Sequence, residues 1–191
     1  MITPHDVAVL VGSLRRESFT RKVAVALAAL APPSLALDIV EIGQLPHYNQ
    51  DLETDAPPGE WAQFRDRMRR AEAVVFATPE YNRSVPGVLK NAIDVGSRPR
   101  DKNVFNGKPG FVVSVSPGLL GAFGANHHLR QSLVFLNVPA MQQPEVYISN
   151  VASMLGANGE IANPTTREFL TNAMIAFNAW IELNLAARTA V

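Results

Sequence analysis

The sequence predicts a single α/β domain in which a parallel sheet of five strands carries helices on both faces. Short apolar runs alternate with longer amphipathic segments along the chain, an order typical of parallel strands joined by helical crossovers. The apolar runs are continuous rather than alternating, as expected for strands buried on both sides. A chain of 191 residues is long enough for one such domain and short for two. We therefore treat residues 1–191 as one domain.

The first half of the chain contains three of the predicted strands. A β-branched run at residues 7–11 is the first strand, and apolar residues at helical spacing follow it in a helix that begins near Ser18. A second strand is predicted at residues 35–42 and a charged helix at residues 60–70. The third strand, at residues 73–78, is apolar until its last residue. Strand, loop and helix thus recur in that order.

A third helix is predicted from its end signals. Ser84 can cap it, Pro86 suits its first turn and Gly96 can end it. A fourth strand at residues 110–116 runs into a glycine-bearing loop, and that loop opens a helix that extends through Leu136. The apolar residues of these two helices are expected to serve both the core and a subunit contact.

The last predicted elements complete the sheet. A fifth strand is predicted at residues 141–148, and a final helix starts at Thr165, whose spacing to Glu168 is that of a capping box. Five strands of this kind suggest the order 2-1-3-4-5 of a flavodoxin-like three-layer sandwich. Ligands bind such sheets outside the carboxyl ends of the strands, next to the first strand.

Composition excludes several classes of function. Lys plus Arg and Asp plus Glu both number 17, and no basic cluster resembles the footprint of a nucleic-acid binder. No apolar run reaches the roughly 18 residues of a membrane span, and no signal-peptide pattern is found, so we expect a cytoplasmic protein with no membrane partner. The chain has no cysteine, which removes thiol nucleophiles and thiolate metal sites. Any electron transfer would need a bound cofactor.

The loop after the first strand is a candidate phosphate site. It holds Gly12, Ser13, Arg15 and Ser18, and Thr20 follows in the first helical turn. The N–H groups at a helix start lack partners, hydroxyls can donate, and a guanidinium can grip two phosphate oxygens. The Walker and dinucleotide glycine patterns are both missing. An ordinary solvated turn is the alternative interpretation.

The loop after the third strand strengthens the case for a binding site. Thr78 is followed by Pro79, Glu80, Tyr81 and Asn82. An aromatic ring and a carboxamide at a crevice could flank and hydrogen-bond a flat heteroaromatic ring.

Three sequence motifs are typical of a known family. GSLRxxS, TPEYNxSxPGxLKNAID and HLRQSLVFLNVP resemble the NADPH-dependent FMN reductases, the branch that includes quinone, azo-dye and chromate reductases. The resemblance covers most of residues 7–148. It implies an FMN cofactor, NADPH or NADH as electron donor, and homodimers that are often paired into homotetramers.

The resemblance also implies which residues bind FMN. The phosphate loop would be Gly12, Ser13, Arg15, Ser18, Phe19 and Thr20, although the family usually has asparagine at the position of Thr20. The loop under the isoalloxazine would be Pro79, Glu80, Tyr81 and Asn82, and the loop on its other side would include Ser116 and Gly118. The family often has an aromatic residue at the position of Arg83 and tryptophan at that of Val95, which leaves the substrate open.

The function implied is that of an FMN-dependent NAD(P)H oxidoreductase. A hydride would pass from NAD(P)H to FMN and then to quinones, flavins, azo compounds, ferric chelates or chromate in ping-pong order, with no catalytic side chain and no metal. A flavodoxin-like electron carrier or a redox-sensing flavoprotein is the alternative, although such carriers are generally acidic and this chain is neutral. Arg83 could attract an anionic substrate or simply face solvent. His127 and His128 are expected at the surface or in a subunit contact.

Overall fold

A computed structural model describes residues 3–189, with side chains described for residues 3–187. Within that range five strands alternate with five α-helices. The strands are β1 (His5–Val11), β2 (Leu35–Val40), β3 (Ala73–Thr78), β4 (Gly110–Val115) and β5 (Val146–Ile148). The helices are α1 (Phe19–Leu30), α2 (Gly59–Arg70), α3 (Gly87–Gly96), α4 (Phe123–Phe135) and α5 (Pro164–Thr189). Short 3-10 turns lie at Gln50–Leu52, Arg100–Lys102 and Val151–Ser153.

The five strands form one parallel sheet in the order β2-β1-β3-β4-β5, which confirms the predicted fold. Val11 at the end of β1 pairs with Ala77 of β3, and Thr78 at the end of β3 pairs with Ser114 of β4. The three central strands therefore end at nearly the same level, and the loops that follow them leave from one edge.

Alternate residues of each central strand serve two separate cores. Val7, Val9 and Val11 of β1 pack with the inner faces of α1 and α5, whereas Ala8 and Leu10 pack with α2, α3 and α4. All five of these residues are at most 3 % exposed. This two-sided burial explains why the strands are continuous apolar runs.

Two helix caps differ from the sequence prediction. The residue before α3 is Pro86, which makes no side-chain cap, while the predicted cap Ser84 lies 3.0 Å from Nδ1 of His128 through its hydroxyl. The last helix begins at Pro164, and Asn163 rather than a Thr165–Glu168 box accepts the N–H of Thr166 at 2.9 Å. Asparagine is as good a cap as threonine, and the observed cap lies two residues before the predicted one.

The fifth strand is shorter than predicted. Met141 donates its N–H to the carbonyl of Gly110 at 2.7 Å, but regular pairing begins only at Val146. Pro144 lies between them, and a proline cannot donate to a ladder of hydrogen bonds. In place of the predicted strand at residues 141–148, the structure has a bridge at Ala140, a break and a three-residue strand.

The leucines expected to serve a subunit contact are in the core. Leu89, Leu129 and Leu133 are fully buried. The exposed apolar residues at the end of α4 are Val134 and Phe135, which are 80 % and 67 % exposed. Among the described residues, no helix has both the length and the apolar character needed to cross a bilayer.

We predict that Phe177→Ala lowers the free energy of unfolding by about 3–5 kcal/mol. Phe177 is fully buried, and its ring lies 5.2 Å from that of Phe111, so truncation would leave a cavity between α5 and β4. Ile175→Ala is the matched control because Ile175 lies on the same helix and is 54 % exposed. It should cost less than about 1 kcal/mol. Urea unfolding followed by circular dichroism measures both, and equal losses would contradict this packing.

Candidate functional site

Three loops converge at the carboxyl edge of the sheet. We name them the first loop (12–18, after β1), the second loop (79–86, after β3) and the third loop (116–122, after β4). The N–H of Gly12 donates to the carbonyl of Ala77 at 2.8 Å. A Cβ on Gly12 would lie 3.1 Å from Pro79 and 3.2 Å from Leu89. The first and second loops are therefore in contact, and glycine allows the close approach.

The first loop ends in a capped helix start. Oγ of Ser18 accepts the N–H of Arg21 at 3.1 Å. Among the residues that the structure describes, no side chain accepts the N–H groups of Phe19 and Thr20, the first two of α1. These donors and the positive end of the helix dipole are suited to an anion.

The charged side chains of the first loop are divided between two roles. Glu17 pairs with Lys22 at 2.7 Å, and this hydrogen bond and the charge of Lys22 lower the pKa of the Glu17 carboxyl. Arg15 is exposed, whereas Ser13 is buried. The one carboxylate of this loop is thus paired with Lys22, and the charge of Arg15 makes a smaller contribution to its lowered pKa.

The second loop contains a tight reverse turn. Tyr81 and Ser84 exchange two backbone hydrogen bonds of 3.2 and 2.9 Å. The two residues between them, Asn82 and Arg83, have φ angles of 51° and 64°. Two successive left-handed residues define a type I′ turn. Asparagine tolerates this conformation well, but arginine does so only at a cost.

A carboxylate of the second loop caps the helix that follows the third loop. The residue before α4, Ala122, has a φ of 59° and no side chain that can cap. Oε2 of Glu80 instead accepts the N–H of Ala125 at 3.0 Å. A Cβ on Gly124 would lie 2.7 Å from the carbonyl oxygen of Arg83 and 2.9 Å from Oε2 of Glu80. This role of Glu80 was not found from the sequence, where a carboxylate distant along the chain gives no capping signal.

The third loop is held at both ends by hydrogen bonds. Oγ of Ser116 accepts the N–H of Gly118 at 3.0 Å, and the carbonyl of Gly118 accepts the N–H of Asn150 at 3.1 Å. At the other end, the hydroxyl of Ser114 donates to the carbonyl of Gly121 at 2.7 Å. The fully buried Asn126 donates in turn to Ser114 at 3.2 Å. The loop therefore has a fixed shape around its exposed tip.

The adjacent histidines have separate partners at the surface, as expected. Nε2 of His127 lies 3.1 Å from the hydroxyl of Tyr147, and that hydroxyl donates to Glu145 at 2.9 Å. Burial and, after it, Glu145 raise the pKa of Tyr147 to about 12. His128 contacts Ser84. Among the described residues, no group of three or more His, Asp or Glu side chains could hold a metal ion.

The predicted cofactor residues lie at the carboxyl edge of the sheet, in the three loops and in the first turn of α1. Those of the first loop and α1 are Gly12, Ser13, Arg15, Ser18, Phe19 and Thr20. Those of the other two loops are Pro79, Glu80, Tyr81, Asn82, Ser116 and Gly118. Tyr81 is 54 % exposed and Glu80 is largely buried. The contacts of these residues with a cofactor remain predictions.

A family model described as NADPH-dependent FMN reductase matches residues 5–153. The chain belongs to this family. The resemblance inferred from the motifs is confirmed, and the matched segment contains all three loops. The donor set fits FMN, because the first loop and the start of α1 offer N–H groups, hydroxyls and a guanidinium to a phosphate, and the neighbouring second loop carries an aromatic residue.

Curated relatives support the same assignment. The chain is 60 % identical to a quinone reductase of Pseudomonas putida, over 95 % of this chain and 97 % of the relative. It is 45 % identical to a 2-hydroxy-1,4-benzoquinone reductase of Burkholderia, over 92 % and 95 % of the two chains. The solved structure of FerB, a flavoenzyme NAD(P)H:(acceptor) oxidoreductase from Paracoccus denitrificans, superposes with a TM-score of 0.89 at 42 % identity and covers 94 % of this chain and 98 % of its own.

This member of the FMN reductase family is an NAD(P)H-dependent oxidoreductase with FMN as its cofactor. Its substrates are NAD(P)H and an electron acceptor, and its activity is that of a quinone or FMN reductase. The prediction of an enzyme is confirmed, in preference to the electron carrier without independent turnover.

We predict that Gly124→Ala raises the dissociation constant of FMN about tenfold. The new methyl group would overlap the carbonyl of Arg83 and the carboxylate of Glu80, so the second loop would have to move, and overpacking of this kind costs roughly 1–3 kcal/mol. Gly87→Ala is the control, because a Cβ there meets nothing within 4 Å. Titration of apoprotein with FMN, followed by flavin fluorescence, measures both. The prediction is wrong if the two variants bind FMN equally well.

Proposed function

We propose that FMN lies across the opening between the three loops, with its phosphate before α1 and its isoalloxazine ring between the second and third loops. The observation that carries this proposal is the convergence of these loops through the Gly12–Pro79 and Glu80–Ala125 contacts. When bound, FMN supplies the two-electron redox chemistry. The residues of the chain bind it, orient it and exclude water from one of its faces.

The turn before α1 has the donors that a phosphate requires. The helix dipole contributes about 0.3–1 kcal/mol to anion binding, whereas each hydrogen bond with a charged partner is worth roughly 1.5–3 kcal/mol. The N–H groups of Phe19 and Thr20, the hydroxyls of Ser13 and Thr20, and Arg15 therefore determine the affinity more than the dipole does. Thr20 keeps a donor where the family usually has asparagine.

The second and third loops are suited to the two sides of a flat ring. Backbone groups of Pro79 and Glu80 and the amide of Asn82 would hydrogen-bond the ring edge, and the left-handed φ of Asn82 holds it at the turn. On the other side, the hydroxyl of Ser116 keeps a proton to donate because its oxygen accepts the N–H of Gly118. Fixed loops of this kind reduce the conformational entropy lost on binding.

Turnover would follow ping-pong order, because one opening serves both substrates. NAD(P)H enters, gives up a hydride and leaves as NAD(P)⁺ before the acceptor enters the same place. Quinones are the acceptors that the relatives' names favour, with flavins, azo compounds, ferric chelates and chromate as further candidates at an open site. The quinone takes up two electrons and two protons and leaves as the hydroquinone.

Assembly and location remain predictions from the sequence. The exposed Val134 and Phe135 on α4 are consistent with a homodimer or homotetramer. A cytoplasmic location and the absence of nucleic-acid and membrane partners also remain predictions.

We predict that Arg15→Ala raises the dissociation constant of FMN about 10–100-fold, because it removes hydrogen bonds between a guanidinium and a phosphate. Arg15→Lys should lie in between, since an ammonium keeps the charge but loses the fork. Arg70→Ala is the control for the same loss of charge, because Arg70 is exposed at the end of α2, by the opposite edge of the sheet. Flavin fluorescence measures all three, and unchanged binding in Arg15→Ala would place the phosphate elsewhere.

Initial rates of NAD(P)H oxidation at several fixed concentrations of 1,4-naphthoquinone test the kinetic order. Ping-pong turnover predicts parallel lines in double-reciprocal plots. Intersecting lines would instead require both substrates to be bound together. A protein that needs a separate reductase before any quinone is consumed would contradict the proposed function itself.

A further inference from the structure

We infer that Arg83 is an anion-binding residue at the mouth of the site and selects substrates that carry a negative charge beside the reacting ring. This inference rests on the proposed function, since it takes the second loop to border the cofactor. The shared chemistry is an oxyanion within reach of the guanidinium. It could belong to the acceptor, as the ionised hydroxyl of a hydroxyquinone, or to the donor, as the 2′-phosphate of NADPH.

The backbone of Arg83 is the first observation. Its φ of 64° is left-handed, a conformation that glycine and asparagine adopt far more readily than arginine. The type I′ turn could be made by Asn82 followed by glycine, which is the favoured sequence for such a turn. Arginine at this position raises the free energy of the folded turn, and its side chain does not stabilise the turn. A side chain retained in an unfavourable conformation at a site suggests a role for that side chain.

The location of the guanidinium is the second observation. Nη1 of Arg83 lies 3.6 Å from Oε1 of Glu80, and the other oxygen of that carboxylate accepts the N–H of Ala125. The guanidinium is therefore held beside the start of α4, between the second and third loops. Its side chain is 72 % exposed, against 14 % for Glu80.

The third observation is that most of the donors of this guanidinium are open. Among the described residues, its polar contact is the one with Glu80, and 3.6 Å is longer than a good hydrogen bond. A guanidinium has five N–H donors in a planar fork, so one loose contact leaves room for an oxyanion bound through two oxygens or one. The carboxylate of Glu80 is shared, because its other oxygen accepts the N–H of Ala125.

Charge around the opening favours an anion as well. The chain as a whole has 17 basic and 17 acidic residues, but the three loops hold Arg15, Arg16 and Arg83 against Glu17 and Glu80. Glu17 is paired with Lys22. Three basic against two acidic residues leave these loops with a net charge of +1, and a local excess of positive charge attracts anions. With Arg15 assigned to the FMN phosphate, Arg83 is the guanidinium next to the second and third loops.

The test compares Arg83→Gln and Arg83→Gly with the wild-type holoenzyme on two matched pairs of substrates. One pair is 2-hydroxy-1,4-naphthoquinone, which is ionised at neutral pH, and uncharged 1,4-naphthoquinone. The other pair is NADPH and NADH. Arg83→Gly removes the side chain together with the backbone cost, so it should fold at least as well as the wild type. Arg70→Gln controls for the loss of one positive charge.

If the anion belongs to the acceptor, kcat/KM for the hydroxynaphthoquinone falls about tenfold or more in both variants, while the value for 1,4-naphthoquinone changes less than about twofold. If the anion belongs to NADPH, the same selective loss appears for NADPH against NADH. Either loss should shrink as salt is raised, because the residue is exposed.

Equal changes for charged and uncharged substrates, or none at all, would overturn the inference and leave the proposed function intact. Failure of the wild type to reduce either quinone would instead overturn both.

Discussion

The hydrogen bond between the Glu80 carboxylate and the N–H of Ala125 connects the second loop to the start of α4, two segments that are 45 residues apart in sequence. Glu80 follows β3 and Ala125 belongs to α4, which follows β4. Helix α4 starts at a left-handed alanine that cannot cap it, so the carboxylate satisfies a backbone donor and meets the positive end of the helix dipole. Two neighbouring loops are thereby fixed relative to each other.

This hydrogen bond requires a residue without a side chain at position 124. Any side chain there would occupy the space of the Arg83 carbonyl and the Glu80 carboxylate. On the other side of the second loop, Gly12 permits a similar approach to Pro79. The second loop is thus enclosed between two residues that lack a Cβ, and its turn at Asn82 and Arg83 projects from a rigid base. Preorganisation of this kind suits a site whose chemistry resides in a bound cofactor.

Sequence patterns predicted the sheet well because each central strand is buried on both faces and therefore apolar throughout. The parallel sheet followed from the βαβ pattern, its order from the likeness to a flavodoxin-like sandwich, and the start of α1 near Ser18 from the apolar spacing that follows the loop. The twelve cofactor residues came from motifs, and they lie in the loops after β1, β3 and β4 and in the first turn of α1; their contacts with FMN remain a prediction. What the sequence lacked was information about contacts between distant segments.

Two of the misses have that cause. Ser84 is of a residue type that often caps helices, but its hydroxyl is hydrogen-bonded to His128, which is 44 residues away in sequence. Glu80 had no local sign of capping α4, and its partner is 45 residues away. The break in the fifth strand has a local cause, because Pro144 has no N–H to donate to the neighbouring strand. The strained turn at Arg83 has no signature in composition, since its φ is imposed by the bonds between Tyr81 and Ser84.

Helix α5 lies beyond the segment that the family model matches, but its inner face is part of the hydrophobic core. The family match ends at residue 153, whereas α5 begins at Pro164. Leu170, Met174 and Phe177 of that helix nevertheless lie fully buried against the face of the sheet shared with α1. A fragment that ended with the matched segment would expose this face of the sheet to water, and an exposed apolar surface of this kind promotes aggregation. The end of the family match at residue 153 is therefore not a suitable end for a truncated protein, and α5 belongs to any fragment intended to bind FMN.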